Sequence, residues 1–451
     1  MFGHPKGLST LFFTEFWERF SFYGIRAILV LYMTASPELG GLGFTTVKAT
    51  GIYGWYLMLV YLTALPGGIL ADRVMGQRRA VMLGGMIIAL GNFALVVHTI
   101  PSFYLGLALI TIGTGLLKPN VSTMVGSLYE QGDPRRDGGF TIFYMGINLG
   151  AFLAPLLVGY IAQSSGFLTA VHSLGIDIKA GWNWAFGLAG FGMIFGLLQF
   201  KISGDKLLGE IGKLPSRILQ GDGQERIVDK EPFTPEEKKR LLVIAILFFF
   251  AMLFWSAFEQ AGSSLNLFAR DFTRNTIFGF DYPSSWFQSV GALLIILLAP
   301  FFSWLWINLA AMGREPSGPS KFALGLLGVG LGFLVLVFAV KVSGPEGSRV
   351  SPAWLFSVFL LHTLGELCLS PVGLSLMTKL APRRIVSFVM GIWFTASALG
   401  NGLGGWVAGF YDTEGGGALE TLFGGIAIYT LTAALILALL VKPIKKLLKT
   451  A

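Results

Sequence analysis

The amino-acid sequence predicts an all-α membrane protein with about twelve transmembrane helices. Apolar residues make up 54% of the chain and charged residues only 13%, whereas a soluble protein carries roughly 25% charged residues. The apolar stretches are continuous over about 20 residues, which is the length that a helix needs to cross a bilayer. They do not alternate with polar residues as the strands of a membrane β-barrel do. A helical bundle is expected, because each span then satisfies its own backbone hydrogen bonds.

Twelve apolar stretches follow one another along the chain, and each is predicted to be one span. The six spans of the N-terminal half are expected near residues 11–35, 46–71, 78–98, 102–128, 138–163 and 181–200. The six spans of the C-terminal half are expected near residues 240–268, 286–312, 321–341, 352–379, 384–411 and 418–441. We therefore predict two six-helix bundles, formed by residues 1–200 and residues 240–451.

The longest polar stretch, residues 201–239, separates the two halves and is predicted to be a cytoplasmic linker. Its early part, residues 206–219, has apolar residues at a helical spacing, which suits an amphipathic helix on the membrane surface. These apolar residues are Leu207, Leu208, Ile211, Leu214 and Ile218. A solvated linker is an equally good interpretation of the same segment.

The distribution of basic residues predicts the orientation of the chain in the membrane. Most of the 33 Lys and Arg residues lie at the N-terminus, in the loops after even-numbered spans, in the linker and at the C-terminus. Because cytoplasmic loops are enriched in Lys and Arg, both termini are expected in the cytoplasm of a multi-pass plasma-membrane protein, the inner membrane if it is bacterial. Two halves of six spans and a long central loop match the major facilitator fold, with two bundles around a central cavity.

Composition also excludes several classes of function. The chain has one cysteine, Cys368, so neither an intrachain disulfide nor a cysteine metal cluster can form. Its four histidines do not have the spacing of metal ligands. The net charge of +8 arises from loops between spans and does not indicate nucleic-acid binding. We expect no metal and no cofactor.

Seven ionisable residues are predicted to lie inside the membrane, where each costs about 2.5–3.5 kcal/mol on insertion scales. Residues at such a cost are expected to be paired or functional. They are Glu15, Glu18, Arg19 and Arg26 of span one, Lys118 of span four, Glu259 of span seven and Glu366 of span ten.

Span one concentrates most of these charges on one side. At roughly 100° per residue, its acidic and basic residues and Tyr23 share one helical face. A static cluster of ion pairs would explain this face, but four charges are more than packing requires. A carboxylate that loses its cation in a low dielectric takes up a proton, so an anionic substrate group that binds Arg19 or Lys118 would couple transport to protonation. Glu366 could bind a positive end, which fits a zwitterion, either a peptide or an amino acid.

Five motifs in order resemble the proton-dependent oligopeptide transporters, a branch of the major facilitator superfamily. The resemblance extends over essentially the whole chain. The motifs are Glu15 to Gly24 in span one, Gly67 to Arg79 after span two, Phe143 to Gly150 in span five, Phe254 to Gln260 in span seven and Gly365 to Ser375 in span ten.

The resemblance implies roles for individual residues. It implies proton coupling by Glu15, Glu18, Arg19, Lys118, Glu259 and Arg26. It implies substrate binding by Arg19, Tyr23, Arg26, Tyr61, Lys118, Asn148, Trp255, Glu366 and Trp393. It implies gating by Arg26 and Glu259 as an ion pair. Asp72 and Arg73, with Arg78 and Arg79, are interpreted as forming either gating or packing contacts at the cytoplasmic side.

Three positions depart from the family pattern. Gly291 replaces an asparagine of span eight that helps to hold the peptide amine, which predicts weaker or altered recognition there. Phe22 stands where the family often has tyrosine. The histidine that animal relatives carry in span two falls on Gly54, so proton binding is expected to depend on carboxylates. His362, one turn before Glu366, is interpreted either as a proton relay or, with more weight, as a packing residue.

The leading hypothesis is a proton-coupled symporter that imports di- and tripeptides by alternating access, with protons as the coupling ion. We expect a monomer whose partners are small peptides, protons and membrane lipids. An alternative keeps the fold but carries another small solute, such as nitrate or a modified amino acid. An intramembrane enzyme is not expected, because the sequence has neither a His/Asp metal cluster nor a large extramembrane domain.

Overall fold

Helices make up most of the part of the chain that the structure describes. The computed structural model describes residues 3–130, 133, 135–176, 181–215, 232–277, 279–342, 349–382, 385–411 and 416–449. The helices up to the linker are α1 (Gly7–Thr34), α2 (Thr46–Leu62), α3 (Ala64–Leu70), α4 (Gln77–Val96), α5 (Ile100–Gly126), α6 (Arg136–Gln163), α7 (Ser165–Ser173) and α8 (Trp182–Leu207). The helices after it are α9 (Pro235–Phe258), α10 (Ser264–Asp271), α11 (Phe287–Ala311), α12 (Gly318–Val342), α13 (Pro352–Leu380), α14 (Val386–Ala408) and α15 (Gly416–Lys449).

Ten helical stretches in the described part of the chain are long and apolar enough to cross a membrane. Two further predicted spans correspond to α1, which carries four charged residues, and to α14, which contains five glycines. These compositions lower the hydropathy of both helices. The number of twelve spans therefore remains a prediction, whereas the all-α membrane architecture is observed.

Both helices that border the linker extend into the predicted linker region. α8 continues to Leu207, and α9 begins at Pro235. The start of α9 is fixed by a capping box, in which the Thr234 side chain accepts from the backbone N–H of Glu237 and the Glu237 carboxylate accepts from the N–H of Thr234. Such a box satisfies two N–H groups that the first turn of a helix leaves without partners.

The surface helix considered for residues 206–219 is not formed over residues 208–215, which lie in turns. Gly209 and Gly212 have φ values of 55° and 72°, a left-handed backbone that suits glycine and ends a helix. Leu208 and Ile211 instead pack against the core formed by α1, α4, α5 and α8. Residues 216–219 lie outside the described residues.

Two of the spans are interrupted. After α3, residues Ala71–Met75 form a π-helical turn. After α9, residues Glu259–Gly262 form a 3₁₀ turn before α10 begins. Because a helix break inside a membrane leaves backbone groups without helical partners, it is tolerated where protein or a water-filled cavity surrounds it.

The chain forms two compact units, which depart from the two sequence halves in two segments. Unit one comprises Met1–Thr45, Leu59–Glu225 and Thr276–Ala292. Unit two comprises Thr46–Met58, Arg226–Asn275 and Leu293–Ala451.

A small hairpin precedes α11 in unit one. Strands β1 (Thr276–Ile277) and β2 (Phe280–Asp281) pair antiparallel, with Thr276 opposite Asp281. The turn that follows is attached to α6, because the indole N–H of Trp286 donates to the Leu156 carbonyl at 3.0 Å. Short polar turns of this kind gave no hydropathy signal in the sequence.

Candidate functional site

The charged face predicted for span one is buried within unit one. Glu15, Glu18 and Arg19 are each no more than 2% exposed. The Arg19 Nη2 group donates to Glu18 Oε1 at 2.7 Å, and its Nε group contacts Glu18 Oε2. The same Nε lies 3.4 Å from Glu15 Oε1. One guanidinium is therefore shared by two carboxylates from successive turns of α1.

The contacts of the Arg19 guanidinium are divided unequally, and Glu15 has fewer hydrogen-bond partners than Glu18. Glu15 Oε2 has no hydrogen-bond partner among the described atoms. Lys118 of α5 interacts electrostatically with Glu15, so two acids and two cations balance in charge. A buried carboxylate with an unused oxygen is well suited to receive a proton or a new donor, because burial without full hydrogen bonding is costly.

Aromatic rings cover the cations of this cluster. The Arg19 guanidinium lies 4.8 Å from the centre of the Phe22 ring, and Arg26 lies 5.6 Å from that of Tyr23. Lys118 Nζ lies 4.3 Å from the centre of the Tyr61 ring. A ring face stabilises a cation without neutralising it. The structure thus brings Tyr23, Tyr61 and Lys118 into unit one with the charged face, and Phe22 contributes a ring without a hydroxyl.

The motif of span five explains how α6 packs closely against this part of α1. A β-carbon on Gly150 would lie 2.6 Å from the Phe16 carbonyl oxygen and 3.1 Å from Arg19 Cβ. Glycine is required there because any side chain would push the two helices apart. Asn148 is 5% exposed, and its side-chain N–H donates to the Tyr144 carbonyl of its own helix at 2.9 Å.

The remaining predicted substrate residues and the predicted proton-coupling residue Glu259 belong to unit two. Glu259 is buried at the end of α9, where the 3₁₀ turn begins, and Trp255 lies one turn earlier. Glu366 is half-buried on α13. Trp393 of α14 is buried against Phe322 and Gly373, whose missing side chain leaves room for the indole.

His362 lies in an aromatic environment on the same helix as Glu366. Its ring centre lies 5.0 Å from that of Phe333 and 6.2 Å from that of Phe258. A β-carbon on Gly332 would lie 2.5 Å from the His362 ring. These contacts favour the packing interpretation of His362.

Arg78, which belongs to the motif after span two, has partners that the sequence did not predict. Its side chain donates to the carbonyls of Ile211 and Gly209 at 2.7 and 2.6 Å, and to the Asp205 carboxylate at 3.2 Å. These hydrogen bonds connect the turns after α8 to the start of α4. The predicted gating residues Asp72 and Arg73 lie nearby in sequence and are exposed on the π-helical turn.

The departure at Gly54 has a steric reason. A β-carbon on Gly54 would lie 2.8 Å from the Cα of Gly405 on α14, within unit two. No larger side chain, including histidine, fits this contact. The ion pair predicted between Arg26 and Glu259 joins residues of different units and stays a prediction. Among the described residues, no group of three or more His, Cys, Asp or Glu side chains could hold a metal ion.

Comparison with known proteins identifies close relatives. The POT family matches residues 78–213 and 214–419. A peptide transporter of Yersinia enterocolitica subsp. palearctica is 42% identical, with 99% of this chain and 96% of the relative covered. A di-/tripeptide transporter of Lactococcus lactis subsp. cremoris is 34% identical, with 99% and 97% covered.

Solved structures agree with these relatives. A mutant of a peptide transporter POT in complex with alafosfalin has a TM-score of 0.88 and 39% identity, with 99% of this chain and 96% of that chain covered. A POT family transporter in complex with 5-aminolevulinic acid has a TM-score of 0.86 and 29% identity, with 98% of each chain covered. The predicted major facilitator fold is confirmed, and the chain belongs to the POT family of membrane transporters.

Proposed function

We propose that this protein is a proton-coupled symporter that imports di- and tripeptides by alternating access and has no enzymatic activity. The observation that carries the proposal is the buried cluster of α1, in which Arg19 is shared by Glu15 and Glu18. It requires no cofactor, since protons are the coupling ion. We further propose that it acts as a monomer in the plasma membrane, with both termini in the cytoplasm.

Charge balance provides the coupling. In the structure two carboxylates face Arg19, and Lys118 supplies a second cation. When the carboxylate of a peptide binds Arg19 or Lys118, the cluster gains a negative charge in a low-dielectric setting. The electrostatic attraction between one glutamate and the two cations is then weakened. This glutamate takes up a proton, because the neutral acid needs no counter-charge. Release of the peptide reverses this order.

The proposed cargo follows from the chemistry of both ends of a peptide. Arg19 and Lys118 suit a carboxylate, and Glu366 with Asn148 suits an amine. Relatives over nearly the whole chain are described as peptide and di-/tripeptide transporters, which supports a peptide in preference to another solute. Gly291 is expected to tune recognition of the amine, because it lacks the amide that an asparagine would offer. The proposed gate is the ion pair of Arg26 with Glu259, with contributions from Asp72 and Arg73.

The decisive experiment measures uptake of labelled dialanine by the protein in liposomes with an inward proton gradient. We expect the Glu18→Gln variant to lose accumulation against a peptide gradient while exchange of peptide across the membrane continues, because binding survives and coupling does not. Glu38→Gln, which changes an exposed acid outside the cluster, is the matched control and should behave as the parent protein.

The same liposomes distinguish the cargo. Unlabelled trialanine should compete with dialanine, whereas free alanine, nitrate and 5-aminolevulinic acid should not. Competition by one of these small solutes alone would favour the alternative of another cargo. Accumulation of dialanine by Glu18→Gln at the parental level would refute the coupling role.

A further inference from the structure

An apolar groove runs between α12 and α15 on the surface of unit two. It has a volume of about 530 Å³. The described residues that line it are mainly leucines and alanines, and Lys442 is the one charged residue among them. The leucines are substantially exposed, with Leu324 at 42% and Leu435 at 61%. In a protein that crosses a membrane, such a surface faces lipid.

The length of the groove matches one leaflet of a bilayer. Along α15 the lining residues extend from Leu431 to Lys442, which is about 16 Å at a rise of 1.5 Å per residue. Half of a hydrocarbon core of roughly 30 Å is about 15 Å. An acyl chain that follows the groove would therefore bring its headgroup to Lys442. In the proposed topology this end lies in the cytoplasmic leaflet.

The charge at the groove end selects the headgroup. Lys442 is exposed and forms no ion pair with a carboxylate of the described residues. Further lysines follow it at Lys445 and Lys446 in the last turns of α15. By contrast Lys321 at the start of α12 is already neutralised, because its Nζ lies 2.6 Å from Glu315 and 4.1 Å from the centre of the Trp306 ring. Lysines near the membrane surface attract anionic lipids.

Two other surface grooves of similar size lack this feature. One lies between α14 and α15 with a volume of about 550 Å³, and the other lies beside α8 with a volume of about 420 Å³. Neither groove has a charged side chain among the described residues that line it. Apolar shape alone would accept the chain of any lipid, so the lysine distinguishes the first groove.

We propose that the groove between α12 and α15 binds an anionic phospholipid, with one acyl chain along its leucines and alanines and its phosphate at Lys442. This site is independent of the peptide site proposed above. One lysine near a membrane surface should favour an anionic over a zwitterionic lipid by about fivefold, and salt should weaken the preference.

The test uses the full-length protein in vesicles that contain a phosphatidylglycerol with a photoactivatable diazirine on one acyl chain. After illumination, mass spectrometry maps the labelled peptides. We expect labelling between Leu431 and Val441 to exceed that with a phosphatidylcholine probe about fivefold. Labelling of the groove between α14 and α15, near Ala418, is the internal control and should not depend on the headgroup.

Two variants and one competitor complete the test. Lys442→Ala should lower the phosphatidylglycerol labelling to the phosphatidylcholine level, whereas Lys379→Ala, an exposed lysine that does not line the groove, should not. Ala438→Phe places a large ring in the groove and should reduce labelling by both lipids. Full labelling of Lys442→Ala would overturn the proposal, as would displacement of the lipid by inorganic phosphate alone, since that indicates a free anion site. Uptake of dialanine shows that each variant is folded.

Discussion

Arg19 and Arg78 are two nearly buried arginines of unit one with contrasting partners. Arg19 is 2% exposed and faces two carboxylates of its own helix. Arg78 is 9% exposed and faces two backbone carbonyls and the carboxylate of Asp205, whose side chain is 82% exposed. Both guanidinium groups have hydrogen-bonding partners, but the chemical nature of these partners differs.

The difference separates a switchable contact from a permanent one. A carboxylate can gain a proton or exchange its cation for another, so the surroundings of Arg19 can change during transport. A backbone carbonyl can do neither, so the two carbonyl contacts of Arg78 hold the turn after α8 whether or not Asp205 is protonated. Burial of a charge is thus a poor guide to function until the partners are known.

The largest effect is expected at Arg19. Arg19→Ala leaves two buried carboxylates with one fewer cation, and breaking a buried ion pair costs about 3–5 kcal/mol. We expect loss of dialanine uptake and a large fall in thermal stability in detergent. Acidic pH should recover part of the stability, because a protonated glutamate needs no cation. Equal losses at pH 5 and pH 8 would contradict the switchable contact, and Arg19→Lys, which keeps the charge, serves as the comparison.

An intermediate effect is expected at Arg78. Arg78→Ala removes hydrogen bonds from a charged donor, which contribute about 1.5–3 kcal/mol, and should loosen the turn after α8. Limited trypsin digestion should then cleave faster after Lys206 and Lys213, while proton-driven uptake per folded molecule stays near the parental value. Loss of coupling in a stably folded Arg78→Ala protein would show that this contact also switches. Arg79→Ala, an exposed neighbour, is the control.

The smallest effect is expected at Arg135, an exposed arginine in the loop before α6. Its Nη2 group donates to Asp133 Oδ2 at 2.8 Å and its Nε group to Oδ1 at 3.1 Å. These hydrogen bonds hold the pKa of Asp133 below the ordinary aspartate value. Any stability from the pair is therefore present at neutral pH and is lost only as the pH falls through this lowered pKa.

Titration of Asp133 by NMR, with labelled aspartate and Asp133→Asn for assignment, measures this pKa. Arg135→Ala should move it back toward the ordinary value and leave uptake between pH 5 and pH 8 unchanged. An unshifted titration in Arg135→Ala would show that the pair does not persist in solution.

The sequence predicted the helices and the charged face well, because both depend on local periodicity. The spacing of Glu15, Glu18 and Arg19 is sufficient to place them together on any helix. The start of α9 was missed by five residues although its signal was present, since Thr234 followed by Glu237 is the pattern of a capping box. In the same way Gly209 and Gly212 argue against a continuous surface helix.

Other features had no readable signal. The partners of Arg78 include the backbone carbonyls of Gly209 and Ile211. Because every residue has a carbonyl, the sequence does not indicate which ones Arg78 contacts. At the break that begins with Glu259, the Gln260 side chain donates to the Gly404 carbonyl of α14, and hydropathy does not report such a contact between distant residues. The pairing of Arg26 with Glu259 also depends on tertiary arrangement and remains to be measured.

The contact between Gly54 and Gly405 has a mechanical consequence. Where two helices meet through backbone atoms, their axes can approach more closely than side chains would allow, so α2 and α14 cross tightly at this point. A β-carbon at position 54 would act as a wedge that holds the pair apart. The same two glycines that exclude a histidine from this place therefore determine how closely the two helices can approach.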